Sequence, residues 1–229
     1  MRVAAAVCCP DGKRSGAVLD WLGGLAAVRS IITVEHRRQV AYAENLAVQR
    51  FLRTDLDALW FVANDLVPYK DTARVLEVDA DIALGWSFML AGGAQKGVYA
   101  NVFRERADSC SYDSLAPSGF GMKPREVDAG GMHCALIRRR VFCDAMRLPR
   151  TYVDPDGAAA ELADGAPDPY FRTVFAADGS VAMTDDFDFC RRAKRSGFSI
   201  AFHPLALSGH EQTDDIVERV MLAQQAASR

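Results

Sequence analysis

Two adjacent carboxylates, Asp185 and Asp186, stand at the beginning of a segment that has the pattern of a helix. Thr184 before them can serve as an N-cap, and Gly197 is a typical helix stop. Negative charge is favoured at a helix N-terminus, so the two carboxylates can simply complement the helix dipole. A carboxylate can also act as a general base that takes a proton from an attacking hydroxyl group. The helix alone favours the first interpretation, and the rest of the chain decides whether the second applies.

A second candidate for chemistry is the pair Asn64 and Asp65, which follows an apolar run at residues 56–63. That run has the composition of a buried strand, as does the run at residues 2–9, after which Asp11 stands. Ligands of parallel sheets bind at the carboxyl ends of the strands. Asp11, Asn64 and Asp65 are therefore candidate ligand contacts, although Asn and Asp are also common turn formers.

The order of the remaining elements predicts an α/β fold. Strand-like and helix-like segments alternate, which is typical of a mostly parallel sheet flanked by helices. We predict strands at residues 2–9, 31–34, 56–63, 81–85, 98–103, 134–137 and 198–202, and helices at 18–26, 38–52, 71–77, between Thr184 and Gly197, and at 214–227. His203 and Pro204 are expected to break the last strand. The segments 104–124 and 149–169 are rich in Gly, Pro, Ser and Asp and are predicted to be functional loops.

Composition narrows the class of protein. The 229 residues are half apolar, which suits one domain with a substantial core. The net charge of −3 is spread over both signs and gives no indication of a nucleic-acid partner. The six cysteines lack the two-residue spacing of zinc thiolate sites and are interpreted as buried thiols. No stretch reaches the roughly 20 apolar residues of a membrane helix, and the first residues lack a signal-peptide pattern. We therefore expect a cytoplasmic enzyme or binding protein.

Several segments, in chain order, resemble a GT-A glycosyltransferase of the family 2 type. They are VAAAVCCPDG, AYAENLAVQRFLRTDLDALWFVANDLVP, DAGGMHCALIRRRVF, PYFR, TDDFDFCRRAKRSGFSIAFHP and SGH, and together they span nearly the whole chain. The resemblance implies a single GT-A domain with a Rossmann-like, mostly parallel sheet flanked by helices. It implies a nucleotide-sugar-binding half at about residues 1–105 and an acceptor-binding, catalytic half at about residues 106–229.

The same resemblance implies roles for particular residues. Asp186 stands at the position of the catalytic base, and Asp185 at that of an acceptor-binding carboxylate, with Tyr170 and Phe171 as further acceptor contacts. Asp65 and His210 stand where Mn²⁺ or Mg²⁺ is held. The implied donor contacts are Cys9, Pro10, Asp11, Asn45, Asn64, Asp65, Gly130 and Gly131. The activity implied is an inverting, metal-dependent transfer of a sugar from a nucleotide diphosphate to an unknown acceptor.

Three residues depart from the family pattern, and the mildest departure is Asp185, where glutamate is commoner. Ala63 replaces the first aspartate of the DxD motif, and Glu44 stands where an arginine is usual. These changes keep open a catalytically degenerate module that binds a nucleotide sugar or a glycan. A nucleotidyltransferase on a related fold is a third hypothesis. Such an enzyme needs a glycine-rich, basic phosphate loop after the first strand, and CCPDGKRSG resembles one only weakly. Without the resemblance, Gly130 and Gly131 read as a bulge or turn, and Tyr170 and Phe171 as core residues.

Overall fold

A computed structural model of the protein describes residues 1–10, 12, 14–36, 40–91, 97–107, 111–153, 159–161 and 166–210. For His210 and some other strand residues the description covers the backbone only. Asp11, Cys110 and the helix predicted at residues 214–227 lie outside the described residues.

The described residues form three α-helices, short 3₁₀ turns and many strands. The α-helices are α1 (Gly16–Gly23), α2 (Val40–Leu52) and α3 (Asp185–Arg195), and the 3₁₀ turns are Thr72–Glu77, Pro117–Gly119, Arg139–Val141 and Asp144–Met146. The strands are β1 (Val3–Pro10), β2 (Val28–His36), β3 (Ala58–Ala63), β4 (Leu66–Pro68), β5 (Ile82–Trp86), β6 (Phe88–Ala91), β7 (Gly97–Ala100), β8 (Val102–Glu105), β9 (Tyr112–Ser114), β10 (Arg125–Glu126), β11 (Ala129–Gly130), β12 (Cys134–Arg138), β13 (Thr151–Val153), β14 (Ala159–Glu161), β15 (Val174–Phe175), β16 (Val181–Met183) and β17 (Ile200–His210).

An eight-stranded sheet forms the centre of the molecule. Its strand order is β10-β17-β5-β12-β3-β1-β2, and β4 pairs with the far end of β17. The strands β1, β2, β3, β5 and β17 run in one direction, while β12, β10 and β4 run against it. The expected α/β fold with a mostly parallel sheet and flanking helices is confirmed. Strands from residues 1–105 and strands from residues 106–229 alternate in the middle of this sheet.

The sequence of β1 shows why its strand lies at the centre. Successive side chains point to opposite faces of a sheet, and a strand covered on both faces needs an apolar run rather than alternation. Ala4 and Ala6 belong to the core on the side of α2 and α3, whereas Val3, Ala5 and Val7 belong to the core on the side of α1. All five are fully buried. The apolar run of β1 therefore contributes side chains to the cores on both faces of the sheet.

The last strand differs from the prediction. His203 and Pro204 do not break it, because β17 continues from Ile200 to His210. Its register with β5 shifts between Phe202 and Leu207, and such an irregularity accommodates a residue without an N–H donor. The carbonyl oxygen of Pro204 accepts a hydrogen bond of 2.7 Å from the indole of Trp86. The continuation matters because it carries the strand to His210.

Other boundaries also differ. The strand predicted at residues 98–103 is divided between β7 and β8, since Asn101 between them turns its backbone N–H to the carbonyl of Ser87. The segments expected to be loops contain β8, β9 and the hairpin of β13 with β14. The helix predicted at residues 71–77 is a 3₁₀ helix.

Gly85 of β5 and Gly23 of α1 are expected to respond oppositely to substitution by Ala. A Cβ atom at Gly85 would lie 2.6 Å from Cys134 Sγ and 3.1 Å from the Ala206 carbonyl oxygen, so Gly85→Ala should destabilise the fold by about 1–3 kcal/mol. Gly23 in α1 has no atom within 4 Å of the added Cβ, so Gly23→Ala should stabilise by about 0.5–1 kcal/mol. Urea denaturation of both variants measures the difference. Equal effects would contradict the close packing of β5 on β12.

Candidate active site

The carboxyl ends of β1 and β3 meet the end of β17 at one edge of the central sheet. Cys8 of β1 pairs with Ala63, the last residue of β3. A turn at Asn64 and Asp65 leads into β4, whose first residue, Leu66, pairs with His210 of β17. Asp65 is therefore the immediate neighbour of a residue paired with His210. The pairing of β4 with β17 thus brings together the two residues implied as metal ligands, which are 145 positions apart by their numbers.

Asn64 ties the first loop to this edge. Its Oδ1 accepts a hydrogen bond of 2.8 Å from the backbone N–H of Ser15 and a contact of 3.6 Å from Cys9 Sγ. Ser15 is in turn the N-cap of α1 and accepts from the N–H of Val18. Cys9 is fully buried, and the donor contact implied for it stays a prediction. For Pro10 only the backbone, at the end of β1, is described.

Asn45 has a structural task that sequence reasoning did not foresee. Its Oδ1 accepts hydrogen bonds of 2.7 and 2.9 Å from the backbone N–H groups of Tyr170 and Phe171, and its Nδ2 donates one of 2.9 Å to the Phe171 carbonyl. The residue is 6% exposed. Its amide joins α2 to residues 170–171, and the donor contact implied for Asn45 stays a prediction.

Tyr170 and Phe171 are core residues. Each is 1% exposed, and Phe171 stacks on Phe189 of α3 with a ring-centroid distance of 4.2 Å. A ring covered on all sides cannot stack on a sugar, so the acceptor contacts implied for these rings are corrected. Both side chains have the packing role that their sequence also suggests.

Gly130 and Gly131 lie where neighbouring groups leave no room for a side chain. A Cβ at Gly130 would come within 2.6 Å of Leu84 Cδ1, and one at Gly131 within 2.9 Å of Asn101 Nδ2. Gly130 belongs to β11, which pairs with β8. Packing alone thus demands glycine at both positions, and their contact with a donor stays a prediction.

A polar network beside this edge centres on His133, for which the sequence suggests no partner. The backbone N–H of Ser87 donates to Asn101 Oδ1, and this orients Asn101 Nδ2 toward His133 Nδ1 at 2.8 Å. Because Nδ1 accepts, the proton sits on Nε2, which lies 3.1 Å from the Ser208 hydroxyl. The carbonyl oxygen of His133 accepts from the N–H of Ala63. The network therefore fixes the end of β3 against β17.

The acidic pair at the beginning of α3 faces the same edge. The Asp186 carboxylate accepts hydrogen bonds from the Thr184 hydroxyl and, at 2.8 Å, from the N–H of Phe187. Thr184 is the N-cap residue, but its side chain caps no backbone N–H, contrary to expectation. Burial raises the pKa of Asp186, the bond from Thr184 opposes this, the charge of Asp185 reinforces it, and the net shift is upward. A raised pKa suits a general base that works near neutral pH.

Glu44 and Cys8 complete this group. Glu44 is 3% exposed, and it lies close enough to Asp185 for that carboxylate to raise the pKa of Glu44. Burial, together with the charges of Glu44, Cys9 and Asp185, raises the pKa of Cys8 to about 12. Cys8 thus lies near the acidic pair and also pairs with Ala63. The acids of α3 and the turn that carries Asp65 belong to one neighbourhood.

An ion-pair network anchors α3 in the core. Asp188 is 6% exposed and bonds to Arg192 at 2.8 Å and to Arg172 at 3.2 Å. Arg192 also donates to the carbonyl oxygens of Met146, at 2.8 Å, and Tyr170. Arg172 and Arg192 therefore compensate the charge of a carboxylate that the fold buries. Arg191 pairs instead with Glu105, at 3.8 Å.

A cavity of about 320 Å³ lies beside the beginning of α3. Phe103, Tyr112, Met183 and Phe187 line it, and the ring of Phe187 lies 4.8 Å from that of Phe103 and 4.7 Å from that of Tyr112. The cavity is open to solvent, and Thr184 adds a polar group to its mostly apolar lining.

The described residues contain neither a metal-binding cluster nor a membrane-spanning helix. Over the ranges given above, no group of three or more His, Cys, Asp and Glu side chains is arranged to hold a metal ion. This statement does not cover the side chain of His210, for which only the backbone is described. In the same part of the chain, no helix has the length and apolar character needed to cross a membrane.

Comparison with known proteins places the chain by fold. No protein-family model and no curated protein sequence matches it. The crystal structure of A197 from STIV is similar over 88% of this chain and 81% of that chain, with a TM-score of 0.50 and 16% identity. The crystal structure of GalNAc-T7 with UDP, GalNAc and Mn²⁺ is similar over 92% of this chain but 44% of that chain, with a TM-score of 0.49 and 12% identity. At such identities the similarity concerns the fold alone.

Proposed function

We propose that this protein is a GT-A-type glycosyltransferase that moves a sugar from a nucleotide diphosphate to an acceptor hydroxyl with inversion. The observation that carries the proposal is the convergence of Asp65, His210 and the acidic pair of α3 at one edge of the sheet. A sheet edge formed by strand carboxyl ends is where α/β proteins bind ligands. The family resemblance of the sequence supplies the reaction class.

Within this proposal Asp186 takes the proton of the acceptor hydroxyl. Hydrogen bonds from Thr184 and Phe187 hold one carboxylate oxygen of Asp186, and the other oxygen remains for the acceptor. The raised pKa of Asp186 strengthens it as a base. Asp185, beside it and half-buried, orients the acceptor. The aromatic cavity next to α3 accommodates the apolar part of the acceptor.

Asp65 and His210 would hold the divalent ion. One carboxylate residue in the turn before β4 and one imidazole residue at the end of β17 fit Mn²⁺ or Mg²⁺, which often take few protein ligands and fill the remaining positions with phosphate oxygens and water. When bound, such an ion neutralises the negative charge of the leaving diphosphate. Ala63 leaves Asp65 as the single aspartate of the motif, so the diphosphate itself contributes more of the ligand set.

Metal-dependent nucleotide binding tests the assignment of Asp65. We expect UDP, GDP or dTDP, or one of their sugars, to bind in Mn²⁺ and to bind about 10–100-fold more weakly in EDTA or in Asp65→Asn. Asp20→Asn, which changes an exposed carboxylate of α1, is the control and should bind as the unaltered protein does. Isothermal titration with a panel of nucleotides measures the affinities. Equal affinity with and without metal would overturn the metal site.

A non-catalytic binding module is the second candidate, and Ala63 is the observation that favours it. The two functions differ in turnover. Metal-dependent binding followed by slow hydrolysis of a nucleotide sugar supports the transferase, whereas binding without any release of sugar supports the module.

A further inference from the structure

Glu44 is a buried acid in a place where charge is costly. It lies in α2 among Ala41, Ala47 and Val48, which are buried and apolar, and it is itself 3% exposed. Moving an isolated carboxylate into such surroundings is strongly unfavourable unless a cation pairs with it. The groups that influence Glu44 are Asp185 and Asp186 of α3, and it in turn influences the Cys8 thiol of β1. All of these are acidic or neutral.

A hydrogen bond between Glu44 and its neighbour Asp185 would require a proton. Two ionised carboxylates have acceptors only, so one of the two side chains would have to carry a hydrogen. Asp185 is only half-buried, whereas Glu44 is enclosed, and the enclosed group gains more from being neutral. The second oxygen of Glu44, Oε2, is buried and has no partner among the described residues. An unpaired oxygen costs less on a neutral acid than on a carboxylate.

Burial and the acidic neighbours of Glu44 act on its pKa in the same direction. Burial, then the charge of Asp185 and the hydrogen bond to it, then the charge of Asp186, raise the pKa of Glu44 well above its ordinary value.

We propose that Glu44 is a positioning residue, a neutral carboxylic acid that donates a hydrogen bond to Asp185 and fixes the direction in which that carboxylate meets the acceptor. The part about the acceptor rests on the proposed function, whereas the protonation of Glu44 does not. An arginine, the usual residue at this position in the family that the sequence resembles, would neutralise Asp185. Glu44 holds Asp185 in place and leaves one negative charge on the pair, beside Asp186.

The pH dependence of stability tests the protonation. Between the ordinary pKa of 4.5 and the raised value in the fold, the native state holds a proton that the unfolded state has lost. The stabilisation by neutral Glu44 is therefore complete below pH 4.5 and is lost as the pH rises through the raised pKa. Over this window the unfolding equilibrium constant of the unaltered protein should rise about tenfold per pH unit relative to Glu44→Gln, which cannot ionise. Urea denaturation from pH 4 upward measures this.

Glu126→Gln is the matched control. It makes the same chemical change on an exposed carboxyl of β10, and its pH profile should follow that of the unaltered protein. Infrared spectra at pH 7 give a second reading, because the band of a protonated carboxylic acid should disappear in Glu44→Gln and persist in Glu126→Gln. Parallel pH profiles for Glu44→Gln and the unaltered protein, with no such band, would overturn the proposal even if the protein is a transferase.

Acceptor kinetics test the positioning. Glu44→Gln keeps a neutral donor and should leave KM for the acceptor within about twofold, whereas Glu44→Met lacks the donor and should raise KM by about tenfold or more with a smaller change in kcat. Equal KM values in both variants would contradict a positioning role. If the protein has no transferase activity, the infrared and pH measurements still decide whether Glu44 is protonated.

Discussion

Changing Asp186 to Asn should lower kcat for sugar transfer by about 10²–10⁴-fold, because Asn cannot accept the proton of the acceptor hydroxyl. The substitution preserves the shape of the side chain and an oxygen that can accept from Thr184 and Phe187, so the beginning of α3 should remain folded. Donor binding, measured by titration with the nucleotide, should be unchanged. Since burial raises the pKa of Asp186, kcat/KM of the unaltered protein should fall as the pH drops through that raised value.

Asp185→Asn provides the matched comparison for Asp186. It removes one charge from the same turn of α3, but it should act mainly on the KM of the acceptor, because Asp185 orients and does not take the proton. A kcat for Asp186→Asn within a few-fold of the unaltered value would refute the assignment of the base. The same loss of kcat in both variants would show that the pair acts as a unit.

Changing Asp188 to Asn should destabilise the fold by about 3–5 kcal/mol, because it leaves the buried cation of Arg192 without its counter-ion. The side chain of Asp188 is 8% exposed and that of Arg192 is 18% exposed, and burial lowers the pKa of Arg192. Arg192 also holds the carbonyl groups of Met146 and Tyr170, so its disturbance should loosen the contact of α3 with residues 146 and 170. Guanidinium denaturation measures the loss.

Asp79→Asn is the control for this ion pair. Its carboxylate bonds to Arg138 at 2.8 Å, but the Asp79 side chain is 98% exposed, and exposed pairs contribute little. We expect no measurable change in the denaturation midpoint. If Asp188→Asn and Asp79→Asn have the same effect, the network does not anchor α3.

The elements that could be predicted from sequence are those whose causes are local. The position of α3 follows from helical spacing between Thr184 and a stop at Gly197, and the structure has a helix at Asp185–Arg195 with Gly197 at φ +84°. The buried strand β3 follows from its apolar run. Spacing along the chain contains this information because hydrogen bonds of a helix, and the alternating faces of a strand, involve near neighbours.

Residues whose partners lie far along the chain could not be assigned in this way. The amide of Asn45 bonds to the backbone of residues 170 and 171. His133 contacts Asn101 and Ser208 because β12, β5 and β17 pack side by side in the folded sheet. Asp188 resembles a surface carboxylate in the helix pattern, but its environment comes from Arg172 and from the chain that covers it. Sequence spacing contains no record of these contacts.

The sequence by itself determined the α/β class, the helix that begins with two carboxylates, and the strand that leads to Asp65. The tertiary structure alone decided that β17 continues past Pro204 so that His210 pairs beside Asp65, and that Glu44 is buried near Asp185. The physical reason is that register between distant strands and the burial of a charge depend on the whole packed fold, whereas helix and strand patterns depend on neighbouring residues.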